Sequence, residues 1–158
     1  MFRDIRKKKN ALSLEDTKKL LHNERRGVLA VHGDDGYPYG VPVNYFYDEE
    51  NEKIYFHGAR AGHKIDALKR DDKVCFTVFG NEKIKEENWA PFMQSAIIFG
   101  RCHLLEDQNE AIKRVAQFAM KYYPSKELVD AEVKEDGHVV QMFEIDIEHM
   151  SGKEIKEI

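Results

Sequence analysis

The fold is decided by residues 55–64, which read YFHGARAGHK. An aromatic strand ends at a loop of glycine and alanine, and a helix begins with Lys64 in its first turn. Small loop residues let backbone N–H groups approach a ligand closely, and the N-terminus of a helix attracts a phosphate. The spacing fits a phosphate site, and it also fits an ordinary strand-to-helix turn that carries surface cations. Neither a Walker pattern nor the GxGxxG fingerprint is present.

A second informative stretch, residues 36–47 (GYPYGVPVNYFY), lies on the strand before it. Pro42 lacks a backbone donor, so this strand is predicted at an edge, a bulge or an opening of a sheet. Free backbone groups at an opening can hydrogen-bond the edge of a flat heterocycle, and nearby aromatic side chains can lie against its faces. An edge strand whose tyrosines belong to the core explains the same pattern.

Strands dominate the middle of the chain, without the regular rhythm of βαβ units. Six strands are predicted, at 27–32, 39–47, 53–57, 74–79, 94–105 (with a bulge at Gly100) and 139–149. Two longer helices are predicted at 13–22 and 107–122, and two short ones after Gly62 and at 126–133. Short loops make the first three strands an antiparallel meander. The sequence therefore predicts a mainly β (α+β) fold, a six-stranded antiparallel split β-barrel with flanking helices.

Length and composition are typical of a soluble globular protein. The 158 residues are predicted to form a single domain, 1–158, with a basic N-terminal arm at 1–12 and a C-terminal tail at 150–158. The net charge of −4 argues against a nucleic-acid partner, because domains that bind nucleic acid are usually clearly basic. No apolar stretch approaches the roughly 20 residues of a membrane span, and the N-terminus lacks the apolar core of a signal peptide.

Cysteine and histidine spacing excludes several kinds of site. Cys75 and Cys102 form no CxxC pair, so we predict free, buried thiols in the reducing cytoplasm. HExxH, HxH and GxSxG motifs are absent, so neither a metal site nor hydrolase chemistry is predicted. His57 stands apart because it adjoins the candidate phosphate loop. The remaining histidines considered are predicted to be surface or structural residues: His22, His32, His103, His138 and His149.

Six short motifs occur in a fixed order along the chain: GVPVNY at 40–45, IYFHGA at 54–59, GHK at 62–64, VCF at 74–76, SAIIFG at 95–100 and SGK at 151–153. Their order and spacing resemble the pyridoxamine 5′-phosphate oxidase-like superfamily and, within it, the nitroimidazole-resistance (nitroimidazole reductase-like) family. This resemblance implies a split barrel that binds FMN at the interface of a homodimer.

The resemblance also implies roles for individual residues. Lys64 would hold the FMN phosphate with help from groups around His63, and His57 would lie close to the flavin as a candidate catalytic residue. Ser95 occupies the place of a glutamine in the oxidases. The residues that would line the cofactor are Val41, Pro42, Val43, Asn44 and Tyr45 from one strand and Tyr55, Phe56, His57 and Gly58 from the next. A partner chain would complete the site, in the region of Tyr123 and Pro124.

Two departures limit the resemblance. His63 replaces an arginine of the oxidases, and their substrate-binding Arg and Tyr have no match, so vitamin oxidation is not predicted. We predict instead an FMN-dependent oxidoreductase that passes electrons from a reduced donor to a small acceptor such as a nitroaromatic compound. The alternatives are a haem-binding or haem-degrading protein, with His57 or His149 as axial ligand, and a flavin-binding protein without enzymatic activity. Polar residues 81–92, with Trp89, carry no structural prediction beyond a loop or short helix.

Overall fold

The computed structural model describes residues 1–85, 90–136 and 140–156. Its strands are β1 Arg26–His32, β2 Pro38–Asn44, β3 Phe46–Asp48, β4 Lys53–Gly58, β5 Lys73–Lys85, β6 Ala90–Leu104 and β7 Gln141–Lys156. Its α-helices are α1 Leu14–Asn23, α2 His63–Arg70, α3 Gln108–Tyr122 and α4 Lys126–Asp136, with 3₁₀ turns at Lys8–Asn10 and Asp34–Gly36. All seven strands form one antiparallel sheet in the order β2-β1-β5-β6-β7-β4-β3.

The predicted second strand, 39–47, is two strands that lie at opposite edges of the sheet. β2 pairs with β1, the chain breaks at Tyr45, and β3 pairs with β4. The six-stranded barrel is therefore wrong in strand number and in closure, although the antiparallel sheet with flanking helices is confirmed. The single meander is wrong for the same reason. Only Tyr45 connects β2 to β3, so the sheet must curl until its two edges are close together. β2 and β4 are then in contact, but no hydrogen-bonded ladder joins them in the described residues.

The backbone of Tyr45 finds its shortest hydrogen-bond partners on α3, and its N–H also makes a longer contact with the Arg25 carbonyl at 3.4 Å. The Tyr45 N–H donates to the Tyr122 hydroxyl at 2.9 Å. That hydroxyl lies 2.5 Å from the carbonyl oxygens of both Tyr45 and Arg25. Lys121 Nζ donates to the Tyr45 carbonyl at 3.2 Å, and the buried Tyr45 hydroxyl donates to the Leu21 carbonyl at 2.6 Å. The strand break is thus satisfied without exposing buried backbone groups.

Several strands are longer than the sequence predicts. Residues 81–85 and 90–92 extend β5 and β6 as paired strands, with Lys83 opposite Phe92, and Trp89 lies outside the described residues. β7 runs to Lys156, so the predicted tail from 150 is a strand, with Lys153 opposite Ser95. Pairing with a neighbour draws these polar residues into strands that their propensity alone does not predict. The predicted bulge at Gly100 is confirmed.

The core lies inside the curled sheet, and a smaller apolar cluster lies beneath α3. Phe56 stacks on Phe143 with centroids 4.8 Å apart in the first, and Phe118 packs with Tyr55 in the second. α1 begins where predicted, because Ser13 Oγ accepts the N–H of Asp16 at 3.0 Å. Within the described residues, no helix is both long and apolar enough to cross a membrane.

The N-terminal arm lies along the outer face of the sheet. Leu12 N–H donates to the Gly152 carbonyl, and Phe2 stacks on both Phe99 and His149. The basic side chains of the arm are exposed. Both thiols are free, but only Cys102 is buried; Cys75 is half-buried, which corrects the prediction for that residue.

The other histidines considered lie where surface or structural residues are expected. Three of them pair with carboxylates: His22 with Glu49, His32 with Asp71, and His103 with Asp146 and Asp72. His138 lies outside the described residues.

Replacing Tyr122 with phenylalanine removes the hydroxyl at the strand break. The Tyr45 N–H then keeps only the longer contact with the Arg25 carbonyl at 3.4 Å, and the carbonyls of Arg25 and Tyr45 lose the hydroxyl. We therefore expect the free energy of unfolding to fall by about 1–3 kcal/mol in denaturant titrations. The control is Tyr123→Phe, since Tyr123 is exposed at the next position. Equal stability of the two variants would contradict the role given to the Tyr122 hydroxyl.

Candidate functional site

The candidate site is the seam at which β2 and β4 approach each other. β3 covers β4 only as far as Tyr55, so Phe56, His57 and Gly58 pair with β7 alone. β2 is an edge strand that pairs only with β1, as Pro42 predicts. The seam therefore has two strand edges whose outer backbone groups belong to no ladder among the described residues, and such groups are available to a ligand.

The loop between β4 and α2 closes one end of the seam. Gly62 has φ +133°, a conformation that side chains disfavour, and it is the residue directly before α2. α2 then begins at His63 and presents its first N–H groups to the loop. The predicted strand-loop-helix arrangement is therefore present, with Lys64 in the first turn.

Lys64 has an unusual environment for a lysine. Its Nζ lies 5.2 Å from the ring centroid of Phe143 and 5.7 Å from that of Phe56. A Cβ on Gly58 would lie only 2.8 Å from this nitrogen, so the absence of a side chain there makes the position possible. Burial lowers the pKa of Lys64. Across the described ranges no carboxylate pairs with it, so a half-buried cation here is balanced only by aromatic faces.

His63 contacts neighbours on β2 and on the β1–β2 turn. Its ring stacks on Tyr39 with centroids 4.1 Å apart, and its Nε2 lies 3.8 Å from Asp34 Oδ2. Arg70 at the other end of α2 donates to the same carboxylate at 2.9 Å. These contacts fix α2 to the start of β2, and they leave Lys64 as the cation nearer to Gly58.

His57 lies on the outer side of β4, against α3. Its ring meets Phe118 edge-on, with centroids 4.9 Å apart. Loss of hydration, and then the charge of Lys64, lower the pKa of His57. The imidazole is therefore neutral at pH 7, with one nitrogen able to donate a hydrogen bond and the other able to accept one.

The structure brings together only part of the predicted site. Tyr45, Tyr55 and Phe56 are fully buried core side chains, so their side chains do not face the seam surface. Ser95 lies opposite Lys153 on β7, whereas His57 lies opposite Met142. On the other side of the sheet, β5 and β1 separate Ser95 from β2. At about 4.8 Å per strand Ser95 therefore lies roughly 14 Å from the seam edge near Asn44, and it does not line the seam of its own chain.

The residues of β2 alternate along the seam. Val41 and Val43 pack against the core, while Pro42 and Asn44 are exposed.

Sequence reasoning did not identify three neighbours of the site: Tyr39 beneath His63, Phe118 beside His57 and Phe143 beneath Lys64. Each was part of a strand or helix pattern, but the pairing that brings it to the seam joins distant parts of the chain. Clefts in other parts of the described structure include one of about 350 Å³ between the N-terminal arm and β7, one of about 290 Å³ across β1, β2, β5 and β6, and one of about 220 Å³ beside α1.

Replacing Lys64 with methionine keeps a long side chain and removes its charge. We expect the pKa of His57 to rise, because the charge of Lys64 lowers it in the wild-type protein. The measurement is an NMR titration of the His57 ring signals, and Lys69→Met on the exposed side of α2 is the control.

The folded protein takes up the His57 proton at a lower pH than the unfolded chain does. The stability that His57 contributes is therefore present above about pH 6.5 and is lost as the pH falls through its folded pKa. An unchanged titration of His57 in Lys64→Met would contradict this coupling.

Known proteins share this fold. Residues 13–154 match the family model described as pyridoxamine 5′-phosphate oxidase. A candidate 5-nitroimidazole antibiotic resistance protein from Bacteroides thetaiotaomicron is 21% identical over 92% of this chain and 87% of its own, with a TM-score of 0.75. An FAD-binding protein from Mesorhizobium loti is 24% identical over 92% and 96%, with a TM-score of 0.63. An FAD- and haem-binding protein from Mycobacterium smegmatis is 16% identical over 92% and 72%, with a TM-score of 0.72.

No curated protein matches the sequence significantly. The similarities to solved structures establish the fold, and the family match covers α1, the seam and the sheet as far as residue 154. The superfamily resemblance predicted from the motifs is thereby confirmed. Because the family model covers residues 13–154, the chain belongs to the pyridoxamine 5′-phosphate oxidase family.

Proposed function

We propose that this protein is a flavin-dependent oxidoreductase that holds FMN in the seam between β2 and β4. The observation that carries the proposal is the ammonium of Lys64, which is half-buried and has no carboxylate partner among the described residues. It lies beside a glycine-containing loop and in the first turn of a helix. A phosphate is the ligand that a cation, free N–H groups and a helix N-terminus together favour.

The space around Lys64 fits that group. The missing side chain of Gly58 leaves room for the ammonium, and Gly62 lets the loop turn directly into α2. The outer backbone groups of β4 beyond Tyr55 could hydrogen-bond the edge of a flavin ring, because no strand of the described chain covers them. Two proteins that share the fold bind FAD, which supports a flavin at this position.

The residues of this chain divide the work of binding. Lys64 would hold the phosphate, the β2 and β4 edges would orient the ring, and neutral His57 would offer a hydrogen bond beside it. The chemistry that the cofactor supplies when bound is electron transfer from a reduced donor to a small acceptor, such as a nitroaromatic compound. The free thiols fit a reducing cytoplasm as the place of action.

We further propose that the protein acts as a homodimer. On the outer face of the sheet, Phe79 is 55% exposed and Ile97 is 40% exposed, although both lie on long central strands. A second copy could cover these side chains and could add the wall that a seam open on one side lacks. Such exposed apolar neighbours are typical of interaction surfaces.

The cofactor is tested by absorption spectra of the purified protein before and after addition of FMN. We expect the two bands of oxidised flavin, and Lys64→Gln should weaken FMN binding by about 10- to 100-fold, the effect of losing roughly 1.5–3 kcal/mol of charge-assisted contact. Lys69→Gln is the matched control on α2.

Other spectra would point elsewhere. A Soret band on addition of haem, without flavin binding, would favour the haem alternative. Flavin binding without turnover of any acceptor with NADH or NADPH would favour a non-enzymatic flavin-binding protein.

The dimer is tested by sedimentation of a double variant, Phe79→Lys with Ile97→Lys. We expect it to sediment as a monomer, because two buried charges would oppose the interface. Ile112→Lys is the control, since Ile112 is also 40% exposed but lies on α3. A wild-type protein that is monomeric at micromolar concentration would contradict the proposal.

A further inference from the structure

Two cations lie close to one aromatic ring at the C-terminal end of α3. The guanidinium carbon of Arg25 lies 4.8 Å from the ring centroid of Tyr122, and Lys121 Nζ lies 5.7 Å from the same centroid. Lys121 Nζ is also 3.9 Å from the centroid of Tyr45. Within residues 1–85, 90–136 and 140–156, neither cation forms an ion pair with a carboxylate. Glu24, next to Arg25 in sequence, instead accepts the N–H of Asn81 at 3.2 Å.

This arrangement brings like charges together, and the carboxylate of Glu24, which forms no ion pair with either cation among the described residues, offsets their effect on Lys121 only in part. Burial, and then the charge of Arg25, lower the pKa of Lys121 to about 8. The ammonium has one acceptor, the Tyr45 carbonyl, so two of its three N–H groups are not used by that contact. An anion bound next to both cations would relieve their repulsion and would accept these hydrogen bonds.

The pair lies at the end of the seam remote from Lys64. β2 begins next to Tyr39, which stacks on His63, and the chain reaches Tyr45 directly after β2 ends. The distance along the strand between these two tyrosines is roughly 20 Å at about 3.3 Å per residue. A row of aromatic contacts leads back to the centre of the seam, because Phe118 meets Tyr122 at 4.8 Å and His57 at 4.9 Å.

We propose that Arg25 and Lys121 form a binding site for the oxyanion group, carboxylate or phosphate, of a small anionic molecule that reacts in the seam. The guanidinium can donate two parallel hydrogen bonds to such a group, and the ammonium adds a point charge from the helix side. The assignment of the molecule as a reactant rests on the proposed function, whereas the anion site itself depends only on the two cations. With this site, the preferred electron acceptor is an anion, and neutral acceptors of the same shape bind more weakly.

The anion site is tested first without turnover. The full-length protein, as purified and again after addition of FMN, is titrated with benzoate, phenyl phosphate and neutral benzamide, and the amide NMR signals of residues around Lys121 are followed. We expect binding of an anion but not of benzamide, and a loss of about tenfold in affinity in Arg25→Gln. The stronger of the two anions identifies the preferred oxyanion. Lys113→Gln, two turns earlier on α3, is the control.

The second measurement uses the FMN-loaded protein with 4-nitrobenzoate and 4-nitrobenzamide as acceptors. Arg25→Gln should raise KM about tenfold for the anionic acceptor and leave KM for the amide unchanged. Lys121→Gln should raise KM for the anionic acceptor by a similar factor. Because this variant also loses the hydrogen bond from Lys121 to the Tyr45 carbonyl, a thermal unfolding curve is needed to show that it is folded. Arg25 is exposed, so its variant keeps the test valid even if Lys121→Gln does not fold.

The outcomes separate the two proposals. Anion binding that depends on Arg25, in a protein that reduces neither acceptor, supports the anion site and contradicts the proposed function. Turnover of both acceptors with equal sensitivity to Arg25→Gln, or anion binding that Arg25→Gln does not weaken, overturns the anion site.

Discussion

The hydroxyl of Tyr122 satisfies the backbone of Tyr45 at the point where the chain leaves one edge of the sheet for the other. A backbone group buried without a partner would destabilise the fold by an amount comparable to a lost hydrogen bond. With the hydroxyl in place, β2 and β3 can lie at opposite edges although one residue separates them. The sheet must curl to allow this, and the curl creates both the enclosed core and the seam. The position of α3, which supplies Tyr122, is therefore part of the same constraint.

The electrostatics of the seam follow from that geometry. Lys64 lies over two aromatic rings because Gly58 leaves the space, and Lys121 lies over Tyr45 because α3 ends there. Cation–π contacts stabilise an ammonium by about 0.5–2 kcal/mol, less than a buried charge loses with its hydration. Both lysines consequently have lowered pKa values. The two ends of β2 thus each carry a cation that an anion would stabilise further.

Local sequence signals predicted the parts of the fold that depend on short-range contacts. Ser13 caps α1, Gly100 forms the bulge, and Gly62 directly precedes α2, because each depends on backbone geometry within a few residues. The break at Tyr45 was not predictable in this way, since its partner Tyr122 is distant in sequence and the run of 39–47 reads as one strand. The candidate site was predictable to the same extent. Local sequence identified the loop around Lys64, whereas the contacts of His63 with Tyr39 and of His57 with Phe118 depend on tertiary packing.

An open seam carries a risk that a closed barrel avoids. Unpaired strand edges can pair with another chain, and proteins usually shorten, charge or cover them. In β2, Pro38 and Pro42 remove two donors from the edge, and the outer edge of β4 is free only beyond Tyr55. These features make the seam a poor template for another strand while leaving a few backbone groups for a smaller partner. A flat ring with a phosphate at one end, such as the flavin proposed above, would meet those groups without extending the sheet, so the open seam suits a small flat ligand better than a further strand.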